Sequence, residues 1–113
     1  MFMYTQFTES VIEIIKNIPK GKVQTYGGIS KLAGHPNGAR QVVRILSSMS
    51  DKHNLPWHRI INSKGELPQL SSEMFAEQIE LLRKEKVKVS VDGRIDLKKY
   101  LWDGYINILT YSS

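Results

Sequence analysis

The residues best placed to do chemistry are Pro56-Trp57-His58-Arg59, at the mouth of the short apolar run Ile60-Ile61. Proline fixes its own φ, so the indole that follows is held stiffly. A stiff aromatic beside cations can stack on a nucleic-acid base. The plainer reading is that Trp57 is a core residue. Other chemistries find little support. His35, His53 and His58 have no metal-type spacing, and the chain has no cysteine to join them. The lack of cysteine also rules out disulfides, a thiolate metal site and a thiol nucleophile. No Gly-x-Ser-x-Gly elbow is present. Gly27-Gly28 lacks the flanking pattern of a dinucleotide or phosphate loop. The residue types point to binding rather than to an active site.

Charge sharpens that reading. The 113 residues carry a net +5, and residues 16–64 hold nine basic side chains against Asp51 alone. That block is +8, while residues 1–15 are −2 and residues 65–113 are −1. A concentrated positive stretch is the footprint of a polyanion-binding surface, although it also fits a solvated basic face with no partner. No apolar run reaches the roughly 18–20 residues that span a bilayer. Residues 1–10 lack a basic leader, so no signal peptide is expected. Placement in the cytoplasm with the nucleoid, or in the nucleus of a eukaryotic host, fits these features.

These residues need elements to position them. Phe7, Val11, Ile14, Ile15 and Ile18 recur at helical spacing behind Thr5 or Thr8 as caps. Residues 22–26 read as an extended link and residues 26–32 as a short helix. After Asn37-Gly38, residues 39–49 read as a second helix, with Val42, Val43, Ile45, Leu46 and Met49 inward. Arg40 and Arg44, four apart, share another face. Two short helices joined by a glycine-containing turn inside the basic block predict a helix-turn-helix. Residues 51–55 read as a polar loop and 59–62 as a short strand. Residues 72–86 form an amphipathic helix with Phe75, Ile79 and Leu82 inward. Alternation at Val87, Val89, Val91 and at Ile95, Leu97 around Asp92-Gly93 predicts a β-hairpin. Residues 1–102 are expected to form one domain, with 103–113 a tail of unassigned role.

Together these segments resemble the DNA-binding domain of the O6-alkylguanine-DNA alkyltransferases, and within that family the alkyltransferase-like proteins. The enzymes carry Pro-Cys-His-Arg, whose cysteine takes the alkyl group from guanine. The alkyltransferase-like proteins commonly replace that cysteine with tryptophan, as in Pro56-Trp57-His58-Arg59. The run from Ile18 through Pro19-Lys20-Gly21-Lys22-Val23-Gln24-Thr25-Tyr26-Gly27 is similar to the family's entry into its helix-turn-helix. Ala39-Arg40-Gln41-Val42 is similar to the start of its recognition helix. Leu81-Leu82-Arg83-Lys84-Glu85-Lys86-Val87 resembles a further family segment. The likeness covers roughly residues 7–102.

The resemblance implies a mainly α fold with a small β component, a winged-helix-like helix-turn-helix domain of the alkyltransferase C-terminal type. It implies that Tyr26, Arg40, Gln41 and Arg44 serve DNA binding and flipping. Arg40 would be the finger that fills the space of a flipped nucleotide, and Tyr26 would press on the neighbouring phosphate. It places Trp57, His58, Ile60, Ser71 and Ser72 at the lesion pocket, and His58 and Glu85 in what remains of the network that activates the enzymes' cysteine. The implied partner is double-stranded DNA containing O6-alkylguanine, with nucleotide excision repair proteins downstream, no cofactor, no metal, no membrane and a monomeric state. Two departures stand out. Met49 occupies the position of the enzymes' network asparagine, and Gln69-Leu70 that of a lid arginine found in some alkyltransferase-like proteins.

An indole N–H is a neutral donor with no accessible anion near pH 7, so Trp57 cannot act as an alkyl acceptor. The expected function is non-enzymatic recognition of the lesion. The alternatives are a helix-turn-helix transcription regulator that reads undamaged sequence, usually as a dimer, and an alkyltransferase inactivated at its nucleophile.

Overall fold

The computed structural model describes residues 5–68 and 71–104. Helix α1 (Gln6–Lys16) begins where the Thr5 hydroxyl accepts from the Thr8 N–H at 3.1 Å, and it carries Glu9 in its first turn. Both features suit a helix N-terminus. Strand β1 (Gln24–Thr25) leads into α2 (Tyr26–Leu32), which is capped by the Thr25 hydroxyl accepting from Gly28 N–H at 2.9 Å. Helix α3 (Ala39–His53) follows. A single 3-10 turn (Trp57–Arg59) runs into β2 (Ile60–Ile61), then come α4 (Ser72–Lys84) and the short α5 (Leu97–Tyr100).

The α2–α3 corner is fixed by buried groups. Ser30 is fully buried, its hydroxyl donates to the His35 carbonyl, and it accepts from Gly38 N–H at 2.8 Å. A Cβ at Gly38 would lie 2.5 Å from that hydroxyl and 3.1 Å from the Phe7 ring. Only glycine lets α3 start this close to α2 and α1. The expected helix-turn-helix is therefore present, and α1 packs across both of its helices.

Strands β1 and β2 pair in parallel, Gln24 with Ile60 and Thr25 with Ile61. This two-residue ribbon divides the apolar interior. Successive strand side chains point to opposite faces. Ile60 joins the core of Val11, Ile15, Ile18, Ile29, Val42 and Trp102, whereas Ile61 joins that of Val23, Leu67, Leu82, Val87 and Ile95. Residues 100–102 lie beside β1, with Val23 N–H donating to Tyr100 O at 2.9 Å and Trp102 N–H to Val23 O at 2.8 Å. Trp102 thereby ties the end of the expected domain to its first helix.

Three expectations are corrected. Helix α3 runs one turn past residue 49, through Asp51, Lys52 and His53, and ends at Asn54 in the left-handed conformation. Polar residues on an outward turn do not stop a helix, the basic ones suit its C-terminal dipole, and asparagine tolerates the left-handed cap. Val43 is not inward but 46% exposed, because the buried stripe of α3 runs through Val42 and Ile45. The hairpin around Asp92-Gly93 closes only across the turn, with Ser90 N–H donating to Arg94 O at 3.1 Å, and does not extend into a ladder. The turn itself is present, with Gly93 at φ +81 and Gly93 N–H donating to Ser90 O at 3.0 Å. Its outgoing arm pairs instead with residues 65–67, through Leu67 N–H to Gly93 O at 2.9 Å and Ile95 N–H to Gly65 O at 2.8 Å. Asp96 then caps α5 by accepting from Lys98 N–H at 3.0 Å, so Leu97 enters a helix. The capping aspartate outweighs the period-2 pattern. The tail beyond residue 104 and the pair Gln69-Leu70 lie outside the described residues.

Candidate nucleic-acid interface

Arg40, Gln41 and Arg44 lie in the first half of α3 and are all exposed. Neither arginine has an ion-pair partner among the described residues. Helices α1 and α4 carry an acidic residue in their first turn, whereas α2 and α3 carry none. The positive end of the α3 dipole is therefore reinforced by arginine instead of being neutralised.

The same helix walls a cavity of about 300 Å³ lined by Tyr26, Val43, Leu46, Trp57, Pro68 and Met74, with Ser47, Ser50, Asp51 and Gln78 also at its wall. Val43 and Met74 remain 46% and 40% exposed, so the cavity opens to solvent through an apolar rim. Tyr26 is the first residue of α2, and burial raises its phenol pKa, keeping it a neutral hydroxyl. Trp57 is half-buried and also lines a second cavity of about 550 Å³ formed with Lys16, Asn54 and Pro56. It is thus neither an ordinary core residue nor a surface one.

The next two residues of the motif are fully engaged. His58 Nε2 lies 2.8 Å from Glu85 Oε2. Arg59 donates to the same carboxylate through Nε at 3.0 Å and Nη2 at 2.7 Å, and through Nη1 to the Ile18 carbonyl at 2.8 Å. Gly21 N–H adds a contact to Glu85 Oε1 at 3.2 Å. Burial acts to raise the Glu85 pKa, but the bonds from Arg59, His58 and Gly21 outweigh it and hold the carboxyl at about 2. This knot ties the end of α4 to the loop before β1 and to the 3-10 turn. Arg59 is therefore a structural residue.

The other expected pocket residues fall differently. The Ile60 side chain is fully buried in the core, so this residue does not line the cavity. Ser71 caps α4, its hydroxyl accepting from Met74 N–H at 3.1 Å, and both Ser71 and Ser72 are exposed. Pro68 and Met74, on either side of them, reach the cavity instead. Met49 is half-buried against the first core. The resemblance gave no reason to single out Gln78. It lies on the apolar stripe of α4, three residues after Phe75 and four before Leu82, yet it is fully buried. A glutamine at a core position of an amphipathic helix was the available signal.

Comparison with known proteins agrees with this geometry. Residues 6–87 match the family of the 6-O-methylguanine DNA methyltransferase DNA-binding domain. The chain belongs to that family. Among its members, a protein of Vibrio parahaemolyticus called DNA base-flipping protein is 42% identical over 97 residues, covering 86% of this chain and 96% of its own length. Alkyltransferase-like protein 1 of Schizosaccharomyces pombe is 32% identical over 102 residues, covering 86% and 94%. The crystal structure of S. pombe Atl1 in complex with damaged DNA containing O6-carboxymethylguanine superposes with a TM-score of 0.77 at 32% identity, covering 90% of this chain and 99% of that one. The mainly helical fold with a small parallel ribbon is thus that of the family's DNA-binding domain.

Proposed function

We propose that this protein is a non-enzymatic sensor that binds O6-alkylguanine in duplex DNA by flipping the nucleotide, as a monomer, and passes the lesion to nucleotide excision repair. The observation that carries this reading is the open cavity walled by Tyr26, Trp57 and the Val43 and Leu46 side chains of α3, the helix that also carries the unpaired arginines. An alkyl group on O6 weakens pairing, so the damaged base leaves the stack at lower cost than guanine. Arg40 occupies the vacated space, as intercalating side chains do. Trp57 offers an aromatic wall to the purine and its alkyl group. It stands where the enzymes have cysteine and supplies no anion, so the alkyl group stays on the DNA. Such a stack contributes about 1–3 kcal/mol to holding the flipped base. The basic block contributes phosphate binding that falls steeply with salt.

Fluorescence anisotropy on one labelled duplex, with guanine or O6-methylguanine at its centre and at two salt concentrations, tests the proposal. Tighter binding of the lesion, with the methyl group recovered intact on the DNA, is the expected result. Equal affinity for both duplexes would instead favour a module that reads undamaged DNA.

A further inference from the structure

Residues 87–90 make an unfinished strand. Val87 N–H donates to Leu82 O at 3.1 Å, and Val89 O accepts from Arg83 Nη2 at 2.8 Å. Val87 and Val89 thus turn their main-chain groups toward α4. By the two-residue period of extended chain, Lys88 and Ser90 turn theirs the other way. Ser90 uses that edge to close the turn, with Arg94 O and Gly93 N–H as partners. In an antiparallel ladder starting at Ser90 and Arg94, the next hydrogen-bonded pair would be Lys88 with Asp96. Asp96 has left that register. Its carbonyl accepts from Lys99 and Tyr100 N–H, and its carboxylate caps α5. Lys88 N–H and C=O therefore have no hydrogen-bond partner among the described residues.

Where the arms part, a cleft of about 400 Å³ opens, lined by Lys88, Ser90, Arg94, Asp96, Lys99 and Tyr100. It shares no lining residue with the cavity of Tyr26 and Trp57. Arg94 is paired with Glu66 and Asp92. Lys88 and Lys99 are exposed and have no ion-pair partner among the described residues. A ligand for this cleft needs a donor and an acceptor to meet the Lys88 main chain, and negative charge to meet the lysines. DNA phosphates bring charge but only accept. An extended acidic peptide brings all three. We propose that the cleft is a docking site for an extended acidic segment of another protein, which adds as a strand beside Lys88 and sets carboxylates against Lys88 and Lys99. The site works independently of the lesion pocket.

The test titrates the isotope-labelled full-length protein with a short capped peptide that alternates glutamate and valine. The Lys88 and Val89 amide resonances should move saturably at peptide concentrations up to about 1 mM, the weak end of specific association. Exchange of the Lys88 amide hydrogen should slow. No saturable change at these amides, or changes confined to α3, overturns the proposal. N-methylation of the peptide's central amides keeps its charge and removes its donors. That peptide should bind about three- to tenfold more weakly, and equal binding overturns the strand pairing proposed. The double substitution Lys88→Glu with Lys99→Glu reverses two exposed charges. It should weaken peptide binding at least about fivefold and leave the preference for the O6-methylguanine duplex intact. Undiminished peptide binding by the folded variant also overturns the proposal. An undamaged duplex that displaces the peptide and shifts the same amides would assign the cleft to nucleic acid instead.

Discussion

Trp57, His58 and Arg59 are consecutive, yet they belong to two regions built on opposite principles. His58 and Arg59 enter a knot around Glu85 whose carboxylate accepts from a guanidinium, an imidazole and a backbone amide. Trp57 enters a cavity with an exposed apolar rim. Satisfied polar groups hold a unique geometry, and an open apolar rim keeps capacity for a ligand. The contrast separates what fixes the turn from what the turn presents. Substitutions in the knot should cost stability, and substitutions at the cavity and on α3 should cost recognition.

The largest effect is expected at the knot. Glu85 and Arg59 have side chains only 12% and 11% exposed, so removing the carboxylate leaves a buried guanidinium without its counter-charge. Glu85→Gln should destabilise the protein by about 3 kcal/mol, a fall in Tm of roughly 10–20 °C. The pH dependence has a definite sign. The folded pKa of about 2 lies below the ordinary 4.5. The stabilisation is therefore complete above about pH 5 and is lost as pH falls from 4.5 toward 2. Thermal melts between pH 7 and 2 should show Glu85→Gln approaching the unmodified protein at the acid end. Below its lowered Tm the variant should still prefer the lesion duplex. A variant that kept its Tm and lost the preference would reverse the division between the two regions.

Arg40 tests the other side and can be compared with Arg59. Both are arginines of the basic block, but Arg59 donates four hydrogen bonds to protein acceptors and Arg40 is exposed with none among the described residues. Arg40→Ala should leave Tm within about the error of a surface substitution. It should weaken binding of the O6-methylguanine duplex about thirtyfold, since nothing then fills the emptied stack. Unchanged affinity with a normal melt would remove Arg40 from the flipping step.

The sequence made the elements that surround the pocket legible, because local signals there agree. Thr5 caps the helix it was expected to start, and Val42 with Ile45 mark the buried stripe of α3. The basic block and the tryptophan motif pointed to α3 and to the turn of Trp57, which line one cavity. What could not be read locally was a competition between partners distant in sequence. Val87, Val89 and Ile95 have the alternation of a hairpin, but residues 65–67 take the available edge and Asp96 redirects the chain into α5. Ile60 follows the motif into the expected strand, while the parity of that strand, set by its pairing with Gln24, sends its side chain to the core. Gln78 was hidden for the opposite reason. Its position is that of a core residue, and only the fold shows that the wall of a cavity passes through it.

The smallest expected effect is also the sharpest test of the boundary between the regions. In Trp57→Cys a thiol would stand beside His58, whose Nε2 already contacts Glu85, so two parts of the enzymes' activating network remain. Efficient transfer needs the thiolate, and an ordinary cysteine has a pKa near 8.5. Met49, where the enzymes' asparagine would help complete that network, offers a half-buried thioether packed on the core and no hydrogen-bond donor. Trp57→Cys should therefore take up no stoichiometric methyl group from an O6-methylguanine duplex over minutes, as read by intact-protein mass. Its preference for the lesion should fall, because the aromatic wall is gone. Rapid methylation of that single variant would mean that the Glu85 knot activates a neighbouring thiol unaided, and that the residues assigned here to holding the fold still carry the enzymes' chemistry.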